Sequence, residues 1–168
     1  MKLKNNKQTG MSLLEILVVV TIFAVLGVLV TRSVLLTLQG SRKTEALVKT
    51  RENLNFAMSV MERQIRNADS IIQCPNADPK ILDYTDADGA TTSFTCTNIA
   101  TADGYIASGS ARLTNDSINV LTCQFGCTIG SSTNPSSVTI DISATDKTAT
   151  GVQNATVSVS NKIYLRNY

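Results

Sequence analysis

Hydrophobic and polar positions change their spacing twice along the chain. From residue 11 to residue 31 the side chains are apolar almost without a break, the only charge being Glu15, and residues 16–30 are interrupted only by Thr21 and Gly27. With its flanks this run reaches about the 20 residues that cross a hydrocarbon core of roughly 30 Å, so it predicts a spanning helix. Beyond it, Leu54, Met58, Met61, Ile65, Ala68 and Ile72 follow one another by three or four and form one helical stripe. The helix is expected to run from Met11 to about Asp69 and to stop before Cys74-Pro75, since proline disfavours helix in the residue ahead of it. From Asn76 onward Thr, Ser, Asn, Asp and Gly dominate and the period falls to two. Val138-Thr-Ile140-Asp-Ile142 reads as a strand, and Ala155, Val157, Val159, Ile163 and Leu165 as another. Shorter candidates are residues 81–84, 93–97, 111–114 and 118–122, set apart by the turn clusters Ala87-Asp88-Gly89 and Ala102-Asp103-Gly104. The predicted class is α+β: a long N-terminal helix, its first half transmembrane, with a mainly antiparallel β head packed on its C-terminal half. The expected segments are residues 1–10, a spanning helix 11–31, an amphipathic stalk 32–72 and a β-rich head 73–168.

Charge is segregated along the same boundaries. Residues 1–10 hold Lys2, Lys4 and Lys7 and no acid, so the positive-inside rule puts this end in the cytoplasm and everything after about Arg32 outside. A secretory signal peptide shares the basic and apolar regions. This apolar run is longer than an ordinary h-region, however, and it leads into Thr31-Arg-Ser-Val-Leu rather than a small-residue cleavage site. Residues 32–66 carry seven Lys/Arg against three Glu, whereas residues 67–168 carry five basic against nine acidic side chains. The basic stalk reads as a solvated face, the sharper alternative being pairing of basic stalk with acidic head between chains. The head shows no run of clustered cations, so nucleic acid is not expected as a partner. The chain has no His, which removes the commonest general base, the Ser-His and Cys-His pairs and most zinc sites. With no nucleophile beside a base, no enzyme and no cofactor are expected.

A carboxylate at the head of an apolar run costs about 2.5–3.5 kcal/mol on insertion scales, so Glu15 is expected to have a partner or a function. Gly10-Met11-Ser12-Leu13-Leu14-Glu15 follows a short basic peptide and directly precedes the spanning segment. This pattern is similar to the class III signal of the type IV pilin superfamily. The resemblance implies that a prepilin peptidase/methyltransferase cuts between Gly10 and Met11 and N-methylates Met11, which makes Glu15 the fifth residue of the mature chain. In apolar surroundings the Glu15 carboxylate can then pair with the Met11 amine of a neighbouring subunit and set an assembly register. The alternative is an interfacial carboxylate pairing with its own N-terminus. Other pilin or pseudopilin subunits, an inner-membrane assembly platform and the membrane itself are the partners that the resemblance implies. The function implied is that of a structural subunit of a type IV pilus or type II secretion pseudopilus, first a single-pass inner-membrane precursor and later part of a periplasmic or extracellular filament. Two features depart from the family pattern: Met11 stands where phenylalanine is usual, and no proline precedes Pro75. Gly27 and Gly40 are then the weak points of the helix, at about 1 kcal/mol each. Residues 61–69 and 157–167 loosely resemble minor pilins and pseudopilins of the J and W classes, which tilts the reading to a minor subunit. The alternative function is a pilus-associated binding module, an adhesin or a competence subunit for DNA uptake.

Four cysteines, Cys74, Cys96, Cys123 and Cys127, all fall in the exported head, where oxidation to two disulfides is expected. Three connectivities are open. Cys123 and Cys127 flank Gln-Phe-Gly, read as a three-residue hairpin loop, which would pair those two across strands and leave Cys74 with Cys96. Without a C-x-x-C pair or His, zinc is the lesser reading and no metal is expected. Asp83, Asp86, Asp88 and Gly89 suggest a calcium loop, but aligned as one they put Tyr84 and Thr95 at its first and twelfth positions, so a turn is the better reading. Asn115-Asp-Ser117 and Asn154-Ala-Thr156 fit the N-glycosylation sequon.

Overall fold

Ser12 sets the start of the first helix, its carbonyl accepting from the Glu15 N–H at 3.0 Å and from the Ile16 N–H at 3.2 Å. The structure, a computed structural model, describes residues 12–73, 78–131 and 134–166, so Met11, the expected first helical residue, lies outside the described residues. The chain forms two compact units, Met1–Gly40 and Ser41–Tyr168. Helix α1, Leu13–Arg66, begins in the first and ends in the second.

In the first unit the helix exposes its apolar side chains all round, among them Leu17, Phe23, Leu29 and Leu36. Its hydroxyls turn inward along the backbone. Thr21 donates to the Val18 carbonyl at 2.8 Å, Thr31 to Gly27 at 2.8 Å and Thr37 to Ser33 at 3.0 Å, so these three hydroxyls are satisfied within the helix, as a lipid environment requires.

In the second unit α1 becomes one-sided. Leu54, Ala57, Met58, Met61 and Ile65 are buried, each large side chain contributing about 1.5–3 kcal/mol of apolar burial. The helix stops at Arg66, short of the expected Asp69 and of the 32–72 stalk, because partners elsewhere take the next backbone groups. The Arg66 carbonyl accepts from Arg166 N–H at 3.1 Å, and Asp69 N–H donates to Thr85 at 2.9 Å. Ala68 is buried but lies past the helix, and Ile72, counted in the helical stripe, sits half exposed in a strand.

Two antiparallel meanders follow, as the expected mainly antiparallel head requires. The first has five strands in chain order, β1 Ser70–Gln73, β2 Ile81–Thr85, β3 Thr91–Thr97, β4 Tyr105–Ser108 and β5 Ala111–Arg112. The second has three, β6 Ile118–Thr128, β7 Ser137–Asp146 and β8 Thr156–Tyr164. Leu82, Phe94 and Ile106 of the first sheet and Val120, Phe125, Ile140, Ile142 and Ile163 of the second join the buried helix residues in one core. The β2–β3 connection is the turn read from the sequence. Asp86 Oδ1 accepts from Asp88 N–H at 3.0 Å and Ala90 N–H at 2.9 Å, while Gly89 takes a φ of 82°, so the Asp86 carboxylate holds the turn.

Two of the links between the sheets are especially close. Ahead of β4, Gly104 lies so close to β6 that a Cβ there would sit 2.1 Å from the Val120 carbonyl oxygen. The approach is fixed by Val120 N–H donating to Gly104 at 2.9 Å and Gly104 N–H donating to Asn119 Oδ1 at 2.8 Å. The second link is the disulfide Cys96–Cys123, with Cα atoms 6.0 Å apart, which joins β3 to β6.

Helix and second sheet are joined by an ion pair. Asp146 at the end of β7 is almost fully buried, with Lys49 Nζ 3.1 Å from its carboxylate. Burial pushes this carboxyl up, but hydrogen bonds from the Thr148 hydroxyl at 2.6 Å and Thr148 N–H at 2.7 Å, with the Lys49 ammonium, hold it below the usual carboxylate range. A carboxyl depressed on folding adds stability that is present above its unfolded value of about 4 and is lost as pH falls through the folded one. Asp146→Asn is therefore expected to flatten the fall of the unfolding midpoint below about pH 4, measured by circular dichroism on the full chain in detergent. An unchanged acid slope would show that Asp146 is not the titrating group.

Candidate functional site

Among the described residues the longest run of exposed apolar side chains is the N-terminal part of α1. It is long and apolar enough to cross a membrane, and none of its most apolar window is buried by the rest of the protein. Leu13 is 82% and Phe23 70% exposed, which no water-facing helix sustains over such a length, so lipid or other chains must cover it. On this surface Glu15 lies in the first turn, where the unpaired N–H groups and the helix dipole favour an anion. Its carboxylate is the only charge on the helix before Arg32. Gly10 and Met11, the expected cleavage and methylation positions, lie outside the described residues.

The cysteines pair otherwise than the hairpin reading proposed. Residues 123–127 form no loop: they lie within the continuous strand β6, with Cys123 and Phe125 buried and Gln124 and Gly126 exposed in strict alternation. Four residues of extended chain span about 13 Å, far beyond the reach of a disulfide. Cys123 bonds instead to Cys96, and Cys127 is also disulfide-bonded. Cys74 lies outside the described residues.

Elsewhere the described residues offer little reactive chemistry. No group of three or more Cys, Asp or Glu side chains gathers among them that could hold a metal. Of the two sequons, Asn115 accepts the Ser117 N–H in a local turn at 3.0 Å, and Asn154 accepts from the Thr145 hydroxyl.

The structure does gather cations that the sequence keeps apart. Beside the last turn of α1, Arg66, Lys162, Tyr164 and Arg166 line an open groove of about 490 Å³, with Lys162 Nζ 5.3 Å from the Tyr164 ring centroid. No sequence signal marks this cluster, since Arg66 ends a helix and its partners close the chain nearly a hundred positions later.

Comparison with known families adds one finding at the N-terminus. The family model described as the prokaryotic N-terminal methylation motif matches residues 5–31, a stretch that includes Gly10, Met11 and Glu15. No curated protein and no solved structure matches the chain. The segment thus carries a prokaryotic N-terminal methylation motif, and the architecture behind it, a long apolar helix followed by antiparallel sheets, is α+β and pilin-like.

Proposed function

We propose that this chain is a prepilin: cut after Gly10, N-methylated on Met11, held by the first half of α1 in the inner membrane with its N-terminus in the cytoplasm, and assembled with other pilin-type subunits into a filament. One observation carries the reading, the methylation motif leading directly into an exposed apolar helix whose only early charge is Glu15. Lys2, Lys4 and Lys7 support the orientation. Glu15 supports a register role, because a carboxylate in apolar surroundings needs a cation, and cleavage supplies one as the new amine of an adjoining subunit. The work is structural and the active groups are surfaces. The filament is a type IV pilus or a type II secretion pseudopilus, and the loose likeness of residues 61–69 and 157–167 to minor subunits supports a minor role.

The intact mass of the chain from sheared surface filaments tests this directly. The expected species lacks residues 1–10, carries one added methyl and gains four hydrogens on reduction of its four cysteines. A chain found only in membranes with residues 1–10 attached would overturn the proposal.

A further inference from the structure

The last turn of α1 runs between two surfaces of opposite charge. On one flank Tyr84 Oη donates to Gln64 Oε1 at 2.9 Å, and the β2–β3 hairpin stands beside the helix with Asp86 and Asp88 lining a groove together with Arg63. Asp78 and Asp83 lie on the same hairpin or just ahead of it, with Lys80 as its only cation. On the other flank Asn161 Nδ2 lies 3.4 Å from Glu62 Oε2, and the groove of Arg66, Lys162, Tyr164 and Arg166 opens beside β8.

The concentration of charge in that groove is selective. Of the five basic residues after position 66, Arg112 and Lys147 are taken by Asp116 and Asp103. Lys80, Lys162 and Arg166 make no ion pair among the described residues, and two of these three line the groove. Arg66 joins them, its ion pair among the described residues being with Glu62. Opposite it, the acids that the head keeps out of internal pairs fall largely on the β2–β3 side, where Asp83 and Asp88 make no ion pair among the described residues.

We propose that the basic groove is a docking site for the acidic β2–β3 hairpin of a second copy of this chain. This rests on the filament reading above and supplies a contact surface for it. The two faces are different, so each copy offers a groove to one neighbour and a hairpin to another. Used head to tail in this way the contact is heterologous, and it propagates as an open helical array wherever its rotation does not close a ring. Lys162 and Arg166 meet Asp88, exposed at the hairpin turn, and Asp83, half-buried on β2, where complementary charge sets which surfaces meet and in what register. At least two copies then stand in contact, whatever the abundance of the subunit.

Paired charge reversal tests this in the host that assembles the filament. Lys162→Glu with Arg166→Glu is expected to lower the amount of chain in sheared filaments by about tenfold, with the mature N-terminal mass in the membrane fraction unchanged. Adding Asp83→Lys and Asp88→Lys to the same chain is expected to restore most of the loss. Carbodiimide coupling of the unaltered chain in filaments, mixed from light and heavy isotope-labelled cells, provides a readout that needs no variant. The expected product is a mixed-isotope peptide joining Lys162 to residues 81–112. Unchanged incorporation after groove reversal overturns the proposal, and so does coupling of Lys162 only within one chain, to another protein or to a nucleic acid. An unprocessed chain absent from filaments would instead bring down the filament reading, and the second copy with it.

Discussion

Replacing Glu15 with alanine is expected to leave a chain that still inserts, is still cut after Gly10 and is still methylated, yet is nearly absent from filaments. Truncating one member of a buried ion pair leaves its partner as an unpaired charge, at a cost of about 3–5 kcal/mol, which corresponds to a loss of about two to three and a half orders of magnitude in incorporation. Glu15→Gln should fare little better, since an amide keeps the shape and a hydrogen-bonding oxygen but cannot neutralise an ammonium. The measurement is the ratio of chain in sheared filaments to chain in membranes, with the N-terminal mass determined on the membrane fraction. That mass separates register from processing. A Glu15→Ala chain that is processed and incorporated normally would return Glu15 to the interfacial role of pairing with its own N-terminus.

Removing the link between Cys96 and Cys123 is expected to have the largest effect on the stability of the head. The bond closes a separation of 27 residues, for which chain-entropy reasoning gives about 3.5 kcal/mol, a large part of the stability of a domain of ordinary size. The double variant Cys96→Ala, Cys123→Ala avoids leaving a lone thiol. It should unfold at a markedly lower temperature, with the two sheets losing structure together because they share one core. A non-reduced tryptic digest checks the connectivity first. Residues 81–112 should be recovered covalently joined to residues 113–147. If 113–147 appears as a free peptide with an internal bridge, Cys123 pairs with Cys127 and the predicted destabilisation disappears.

The sequence revealed the two halves of this molecule to different degrees, for physical reasons. The apolar run, its single carboxylate and the following stripe are local patterns on one helix, and Leu54, Met58, Met61 and Ile65 are buried as the period requires. The helix end was less legible, because Ala68 and Ile72 continue the period while tertiary hydrogen bonds from Arg166 and to Thr85 decide where the helix stops. Strand β1 hid in that overrun. Strand β4 hid for another reason: Ile106 and Ala107 are both buried, so the alternation expected of a half-exposed strand is missing. In β6 the glycine of Cys-Gln-Phe-Gly-Cys suggested a turn, although Cys123 and Phe125 already showed the period-two spacing of a strand. Gly126 needs no special backbone freedom there, since an added Cβ would meet only Thr139 at 3.8 Å. The candidate site divides the same way. The proposal for Glu15 rests on one short motif, whereas the groove of Arg66, Lys162 and Arg166 exists only once the helix end and the last strand lie side by side.

The bare apolar surface of the first unit also bears on what can drive the proposed polymerisation. A side chain such as Leu17 or Phe23 gains little by moving from lipid tails to a bundle of similar helices, because hydrocarbon is exchanged for hydrocarbon and no water is released. A subunit leaving the bilayer for a filament therefore cannot draw on the hydrophobic effect as a folding protein does. The net preference must come from close packing and from the few polar contacts that lipid cannot offer. Extraction would then be close to thermoneutral along most of the helix, so that modest changes in charged groups at either end could tip subunits into the filament or back into the membrane.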